Sequence, residues 1–391
     1  MKKKLIFITE ALWIGGIESA LVNLLNRIDY EKYDVTCLVL RDSLDLADRM
    51  PPECSLIVAD RQRPVTFGEA YKYKRMYNLM EEPQHATKLR RFIWKALCAF
   101  LRAPEARLYA AYVKKQLSEE HFDTAIIYSD RVTETAVRAV NADKFLMFYH
   151  HGAMRREYHD TYGYKKAEKI IAVSELLAEK LKKYRPQYAE KIIAVNNLID
   201  IERIKRMSAE EPETKFPKER FNIVSCGRLS EAKGMDIAVS ACGELVSAGF
   251  TNIRWWIVGG GPEEDALREQ IAKLHLEEYV MLLGMRSNPY PYIRMADLYV
   301  QPSRFEAFGL TIKEAQVLGV PVLSTDTDGG KELICENENG MLCDTDASSI
   351  AGGIRVLIEH SELHEKFKKA LEHQDFDAAN ERIMQRLYSL F

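Results

Sequence analysis

Short apolar runs alternate with amphipathic segments along the chain, and this alternation constrains the fold more than any other feature. In the first half, apolar runs occupy Leu5–Thr9, Tyr33–Leu40 and Lys144–Tyr149, and Glu18–Leu25 has the apolar spacing of a helix. Strands that alternate with helices form parallel sheets that are covered on both faces. The predicted fold class is therefore α/β, with functional residues at the carboxyl ends of the strands.

The same alternation starts again at Phe221 and predicts a second domain. The preceding stretch is charged, contains Pro212 and Pro217, and is typical of a linker. A chain of 391 residues is long enough for two domains with separate cores. The expected division is a first domain at 1–200, a linker at 201–220 that opens a second domain ending at 375, and a C-terminal helix at 376–391 that packs back on the first domain.

Cysteine usage and the first residues argue against an exported or membrane-spanning protein. The seven cysteines are scattered without a CxxC pair, so neither a zinc site nor a disulfide framework is indicated. The start, MKKKLIFITE, has an apolar run of only Leu5–Ile8, too short for a signal peptide. No stretch approaches the roughly 20 apolar residues of a membrane span. We therefore expect a cytoplasmic protein.

Positive charge collects in one segment of the first half. The first 200 residues carry a net charge of +6 and the remainder −9, for a total of −3. Residues 88–103 have apolar side chains at helical spacing, and residues 88–115 hold eight Lys/Arg, one acid (Glu105) and Trp94. Such a helix fits docking on an anionic membrane surface, and equally a core-packed helix with a solvated basic face. Nucleic acid is not an expected partner, because no nucleic-acid module accompanies the segment.

Two carboxylates at a strand–turn–helix junction form the strongest candidate site. Glu306 and Glu314 have seven residues between them, the apolar run Leu298–Val300 precedes them, and a helical pattern starts at Leu310. The free N–H groups of a helix N-terminus bind anions, whereas carboxylates accept hydrogen bonds from hydroxyls. This combination suits a nucleotide-sugar, with its phosphates on the amides and its diols on the acids.

Two cations follow another predicted strand. Arg228 leaves the end of that strand and Lys233 stands before the next helix, so the two could converge on a diphosphate. Taken alone, they fit two ordinary surface cations as well. The turn Gly259–Gly261 lacks the third glycine of a dinucleotide fingerprint and precedes two acids, which argues against a dehydrogenase.

Two histidines, His150 and His151, follow the strand Lys144–Tyr149. Neighbouring residues of an extended strand point to opposite sides, so we expect one of them to contact substrate. No carboxylate or cysteine stands at a supporting spacing, and a metal site is not expected.

Together these phrases resemble glycosyltransferase family 4, a class of retaining enzymes with two Rossmann-like domains that face each other across a cleft (the GT-B fold). The resemblance covers nearly the whole chain, is densest from Phe221 to Asp344, and is loosest between Arg41 and Glu120. The phrases that carry it are GGIESALVNLL, GRLSEAKGMD, VGGGPEEDALR, SRFEAFGLTIKEAQVLGVPVLSTDTDGGKELI and NENGMLCD.

The resemblance implies a role for each matching residue. Arg228 and Lys233 would hold the donor diphosphate, Glu306 the hydroxyls of the transferred sugar, and Glu314 the ribose. The implied catalytic residues are Glu306, Arg228, Lys233 and His151. The implied donor-binding residues are Gly15, Gly16, Arg228, Lys233, Gly284, Met285, Arg286, Glu306, Phe308, Gly309, Leu310 and Glu314. His151 or His150 would contact the donor sugar near the acceptor, and Ala307 stands where the family usually has glycine.

The implied activity is the retaining, metal-independent transfer of a hexose or N-acetylhexosamine from a nucleotide-sugar, expected to be a UDP-sugar. No cofactor is implied beyond this co-substrate, and no protein nucleophile is visible. The basic segment favours a lipid-linked intermediate of cell-surface polysaccharide or capsule synthesis as acceptor, with the protein at the inner face of the cell membrane. A soluble acceptor and a sugar-nucleotide isomerase on the same plan are the alternatives.

Overall fold

A computed structural model describes residues 2–59, 107, 109–117, 120–129, 132–152, 154 and 161–391. Most of the basic segment 88–115 therefore lies outside the described residues. Within them, the chain forms two α/β domains, each with one parallel sheet. No helix in these ranges is both long and apolar enough to cross a membrane.

The first sheet has seven parallel strands among the described residues, in the order β3-β2-β1-β4-β5-β6-β7. Leu5 of β1 pairs with Val35 on one side and Thr124 on the other, which places β1 inside the sheet. The strands are β1 Lys3–Thr9, β2 Tyr33–Val39, β3 Ser55–Val58, β4 His121–Ile127, β5 Asn141–Tyr149, β6 Lys169–Ala172 and β7 Ile192–Ala194.

The second sheet has six parallel strands in the order β10-β9-β8-β11-β12-β13. These strands are β8 Phe221–Cys226, β9 Ile253–Val258, β10 Val280–Gly284, β11 Leu298–Gln301, β12 Val322–Thr325 and β13 Gly340–Cys343. The strand order reverses once in each sheet, between β1 and β4 in the first sheet and between β8 and β11 in the second. Ligands bind parallel sheets at such a reversal, outside the carboxyl ends of the strands.

Helices cover both sheets. Those of the first domain are α1 Gly16–Leu25, α2 Thr133–Ala139, α3 Thr161–Lys166 and α4 Glu175–Tyr184. Those that follow are α5 Ile201–Ser208, α6 Met235–Ser247, α7 Glu264–Lys273, α8 Tyr290–Arg294, α9 Leu310–Val317, α10 Asp328–Leu333, α11 Ala347–Glu359, α12 Ser361–Glu372 and α13 Phe376–Tyr388. Short 3₁₀ turns occupy Ala47–Arg49, Pro186–Lys191 and Glu231–Lys233.

The last helix, α13, leaves the second domain and packs on the first. The rings of Tyr388 and Tyr33 stack with their centroids 5.5 Å apart, and the ring of Phe391 meets that of Phe7 edge-on at 6.1 Å. Asn380 donates from Nδ2 to the carbonyl of Ile199 at 2.8 Å. The end of the chain is thereby tied to the domain in which the chain starts.

Several sequence-based boundaries differ from the structure. Strand β5 starts at Asn141, whereas the apolar run predicted Lys144 as its first residue. Strands β7 and β13 were not predicted, because runs of three or four residues give almost no periodicity. The linker expected at 201–220 begins as helix α5, whose first turn is capped by the Asp200 side chain.

Candidate active site

The two residues with the clearest predicted roles form an ion pair at the carboxyl ends of two interior strands of the second sheet. Nζ of Lys233 lies 2.5 Å from Oε2 of Glu306, and the two side chains are 28% and 13% exposed. Lys233 ends the 3₁₀ turn after β8, and Glu306 follows β11. Because β8 and β11 are neighbours, the strand order itself brings the two loops together.

The backbone around Lys233 fixes this pair in place. Gly234 has a φ of +63°, and a methyl group placed on it would lie 2.0 Å from the carbonyl oxygen of Pro302, so only glycine fits. Arg304 binds Asp236 through both guanidinium nitrogens at 2.7 and 2.6 Å, and its amide donates to the carbonyl of Ala232. The Arg304 guanidinium also holds the pKa of Asp236 below its usual range. The Lys233 loop and the Glu306 loop therefore form one rigid unit.

Arg228 is exposed on the same edge of the sheet, and the triple-glycine turn supports its loop. The amide of Leu229 donates to the carbonyl of Gly260 at 3.0 Å. A methyl group on Gly259 would lie 1.9 Å from the carbonyl oxygen of Gly227, and one on Gly261 would lie 2.3 Å from that of Leu229. These glycines thus let two loops pack closely, in agreement with the tight turn that the sequence predicted in place of a dinucleotide fingerprint.

The turn after Glu306 leads directly into helix α9. Phe308 is buried, Gly309 caps the helix with a φ of +87°, and Leu310 is the first helical residue. The amide of Gly329 in α10 donates to the carbonyl of Glu306 at 2.9 Å and so braces the turn from behind. The N-terminus of α9 is held beside Glu306, where the sequence predicted the anion site.

Glu314 lies one turn into α9 and is held by residues that the sequence did not single out. The hydroxyl of Tyr290 donates to Oε1 of Glu314 at 3.2 Å, and Nη1 of Arg203 donates to that hydroxyl at 3.3 Å. Burial raises the pKa of Glu314 to about 7. Arg203 stands 111 positions before Glu314 in the sequence, and no motif links the two.

A buried polar chain supports the strand from which Glu306 emerges. The hydroxyls of Tyr299 and Thr311 both donate to Oε1 of Gln301, at 2.8 and 2.9 Å, and its Nε2 donates to Oγ of Ser303 at 2.7 Å. Every polar atom of the Gln301 side chain thus has a partner, which fixes the end of β11. The sequence analysis did not identify these residues.

The first domain supplies the opposite wall of the site. A methyl group placed on Gly16 would lie 3.9 Å from Cδ1 of Leu310, and one on Gly152 would lie 3.1 Å from the amide nitrogen of Ala307. Oγ of Ser174 donates to the carbonyl of Ala307 at 2.9 Å. The glycine turn before α1 and the loop after β5 therefore face the Glu306 turn across a narrow cleft. Gly15 is the N-cap residue of α1 and belongs to this glycine turn.

The two histidines have different environments. His150 is 9% exposed and packs against Tyr128 and Phe148, with ring centroids 4.7 and 5.7 Å away. Burial lowers the pKa of His150 to about 3, so the ring is neutral. His151 is partly exposed and precedes Gly152, which touches the Glu306 turn. Of the two candidates, His151 is the one whose position suits contact with a sugar.

The resemblance implies that three residues line the pocket for the base, and they lie at the end of β10 and directly after it. Gly284 has a φ of +73°, Met285 is 63% exposed, and Arg286 pairs with Glu213 at 3.4 Å. Among the described residues, no cluster of three or more acids, histidines or cysteines has the geometry to hold a metal ion.

Comparison with known proteins points to one enzyme class for the second domain. Residues 207–374 match the family described as glycosyl transferases group 1. The N-acetylgalactosamine-N,N'-diacetylbacillosaminyl-diphospho-undecaprenol 4-alpha-N-acetylgalactosaminyltransferase of Campylobacter jejuni is 30% identical over 52% of this chain and 54% of its own. The N-acetyl-alpha-D-glucosaminyl L-malate synthase of Bacillus anthracis is 28% identical over 52% and 53%. The chain spans about half the length of the curated relatives it matches.

Solved structures match the whole chain. HepE of Anabaena in complex with UDP superimposes with a TM-score of 0.69 at 18% identity, over 100% of both chains. This likeness confirms the GT-B fold that the resemblance implied, with two Rossmann-like domains on either side of a cleft.

Proposed function

We propose that this protein is a glycosyltransferase that moves a hexose or N-acetylhexosamine from a UDP-sugar to a glycan or lipid-linked acceptor. The observation that carries the proposal is the Lys233–Glu306 pair, held at the switch point of the second sheet beside the N-terminus of α9. The family match of the second domain and the UDP complex of a protein with the same fold support it.

The proposed chemistry follows the charge that the reaction creates. Breaking the sugar–phosphate bond leaves negative charge on the departing diphosphate and positive charge on the sugar. Arg228, Lys233 and the amides at the start of α9 stabilise the departing charge, and no metal ion takes part. Glu306 accepts hydrogen bonds from the sugar hydroxyls, and Glu314 accepts them from the ribose.

We propose transfer with retention and without a protein nucleophile. A retaining glycosidase uses a second carboxylate as nucleophile. Here Glu306 accepts a hydrogen bond from Lys233 and Glu314 accepts one from Tyr290, which supports a binding role for each carboxylate. The acceptor hydroxyl would attack from the side of the leaving group, and the departing phosphate would take its proton. His151 would lie beside the sugar on the other wall of the cleft.

The names of the relatives point to two different classes of acceptor. The name of the Campylobacter enzyme includes a diphospho-undecaprenol, and that of the Bacillus enzyme includes L-malate. We favour a lipid-linked acceptor of polysaccharide synthesis, with the protein in the cytoplasm on the inner face of the membrane, because of the basic segment 88–115. A small soluble acceptor is the second candidate.

A panel of nucleotides tests the donor assignment. We expect UDP and one UDP-sugar to raise the melting temperature, because the diphosphate and ribose contacts form only in the folded protein. CDP, GDP and ADP at the same concentration serve as controls for the ribose and diphosphate that they share with UDP, and should give smaller shifts. Equal shifts for all four nucleotides would reject uridine selectivity, and no shift at all would reject the donor site.

A further inference from the structure

The segment that joins the two domains touches the proposed base and ribose pocket at several points. Nδ2 of Asn288 donates to the carbonyl of Met207 at 2.9 Å and to Oε2 of Glu210 at 2.8 Å. Glu213 pairs with Arg286. The loop between β10 and α8 is therefore fastened to residues 207–213, outside the second sheet.

Arg203 makes the contact that reaches furthest into the site. Its guanidinium donates to the hydroxyl of Tyr290, which donates in turn to the carboxylate of Glu314. Burial raises the pKa of Tyr290, so the phenol stays protonated and can donate. Asp200 accepts from the amide of Arg203 at 3.0 Å, and Ile204 is buried, so the face of α5 that carries Arg203 is fixed.

We propose that Arg203 is a positioning residue of the donor site. Through Tyr290 it orients the Glu314 carboxylate toward the ribose, so the segment between the domains sets the affinity for the nucleotide. This inference rests on the proposed function, because it assumes that Glu314 meets the ribose of a nucleotide donor.

The charges around Glu314 give this arrangement a pH signature. Five titratable or charged groups surround the carboxylate: Tyr290, Arg203, Arg49, Cys226 and Tyr299. Burial raises the pKa of Glu314, whereas the hydrogen bond from Tyr290 and the two arginine charges lower it, for a net value of about 7. Cys226 and Tyr299 stay neutral near pH 7, because burial raises the pKa of each. Loss of Arg203 or of the Tyr290 hydroxyl therefore raises the pKa of Glu314 further.

The test is calorimetric titration of UDP between pH 6 and 8.5 with the 391-residue chain. A carboxylate accepts hydrogen bonds from both ribose hydroxyls, so wild-type affinity should rise with pH through about 7. For Arg203→Met, loss of the positive charge raises the pKa of Glu314 and lowers its ionised fraction at pH 7, so affinity should fall about fivefold at that pH. The ratio of variant to wild-type dissociation constants should fall toward one as the pH approaches 8.5. The titration of UDP itself affects both proteins equally and cancels in this ratio.

Companion variants separate positioning from a general loss of structure. Tyr290→Phe should shift the pH midpoint in the same direction, and the double variant should add little, because both act through one chain of hydrogen bonds. Arg203→Lys keeps the charge and should restore part of the affinity at pH 7. Arg206→Met, exposed on the same helix, is the matched control and should bind like wild type.

The outcomes discriminate between the two levels of the proposal. The positioning role is overturned if the ratio of variant to wild-type dissociation constants does not change with pH for Arg203→Met and Tyr290→Phe. It is also overturned if that ratio equals the one for Arg206→Met. Either result leaves the donor assignment intact. A wild-type protein that binds no UDP at any pH overturns the donor assignment and this inference with it.

Discussion

Lys233 and Glu306 are the residues on which the proposed chemistry depends. Their contact across two loops leaves a cation for phosphate and an anion for sugar hydroxyls within one small volume. Each role needs fixed geometry, which Gly234 and the Arg304–Asp236 pair provide.

Removal of one charged contact should lower turnover strongly. We expect Glu306→Gln and Arg228→Ala each to reduce the rate of sugar transfer by about 10²–10³, the usual loss when one group that stabilises the transition state is removed. The measurement is the initial rate of UDP release with the donor chosen by the nucleotide panel. Glu264→Gln and Arg268→Ala serve as matched controls, because they form an exposed ion pair on α7 of the same domain. Rates like those of the controls would contradict the assignment of both residues.

At the scale of residues, the sequence identified candidate residues that belong to one motif and missed their partners from distant elements. The resemblance implied that Glu306 and Lys233 bind parts of one donor, and the structure places their side chains in contact. The sequence missed Tyr290 and Arg203, whose roles depend on how α5 and α8 pack beside α9. It could not separate His150 from His151 either, since burial decides between them.

At the scale of elements, apolar runs and turn residues predicted most strands and their carboxyl ends. The alternation also predicted functional residues at the carboxyl ends of the strands, whereas the strand order and its two switch points came from the structure. Short strands such as β7 and β13 escaped, because their pairing comes from neighbouring strands and not from their own pattern. Helix α5 was not predicted, because its charged residues gave this stretch the composition of a linker.

The basic segment 88–115 carries a prediction that belongs to the element scale. We expect that exchange of Lys88, Arg91 and Lys95 for glutamine weakens sedimentation with vesicles that contain anionic lipid, because each cation near such a surface contributes about 1 kcal/mol. Neutral vesicles and an exchange of Lys182, Lys183 and Lys191 for glutamine in the same half provide the controls. Unchanged sedimentation would favour a helix packed into the core, with a solvated basic face.

At the scale of the molecule, polar contacts hold the two domains together around the cleft. Ser174 reaches Ala307, Lys180 pairs with Asp328 at 2.5 Å, and Asn196 donates to Glu332 at 3.2 Å. Such pairs could not be predicted from the sequence, because they depend on the relative placement of two separately folded domains. Helix α13 adds a second connection by returning to the first domain.

The central claim is that a sugar is transferred from a UDP-sugar in this cleft, without a metal ion and with retention of the anomeric configuration. Proton NMR of the wild-type reaction in excess EDTA, with a UDP-sugar and an acceptor, tests all three parts at once. We predict release of UDP and a product whose anomeric configuration is that of the donor. An inverted product, or a reaction that EDTA stops, would contradict the account.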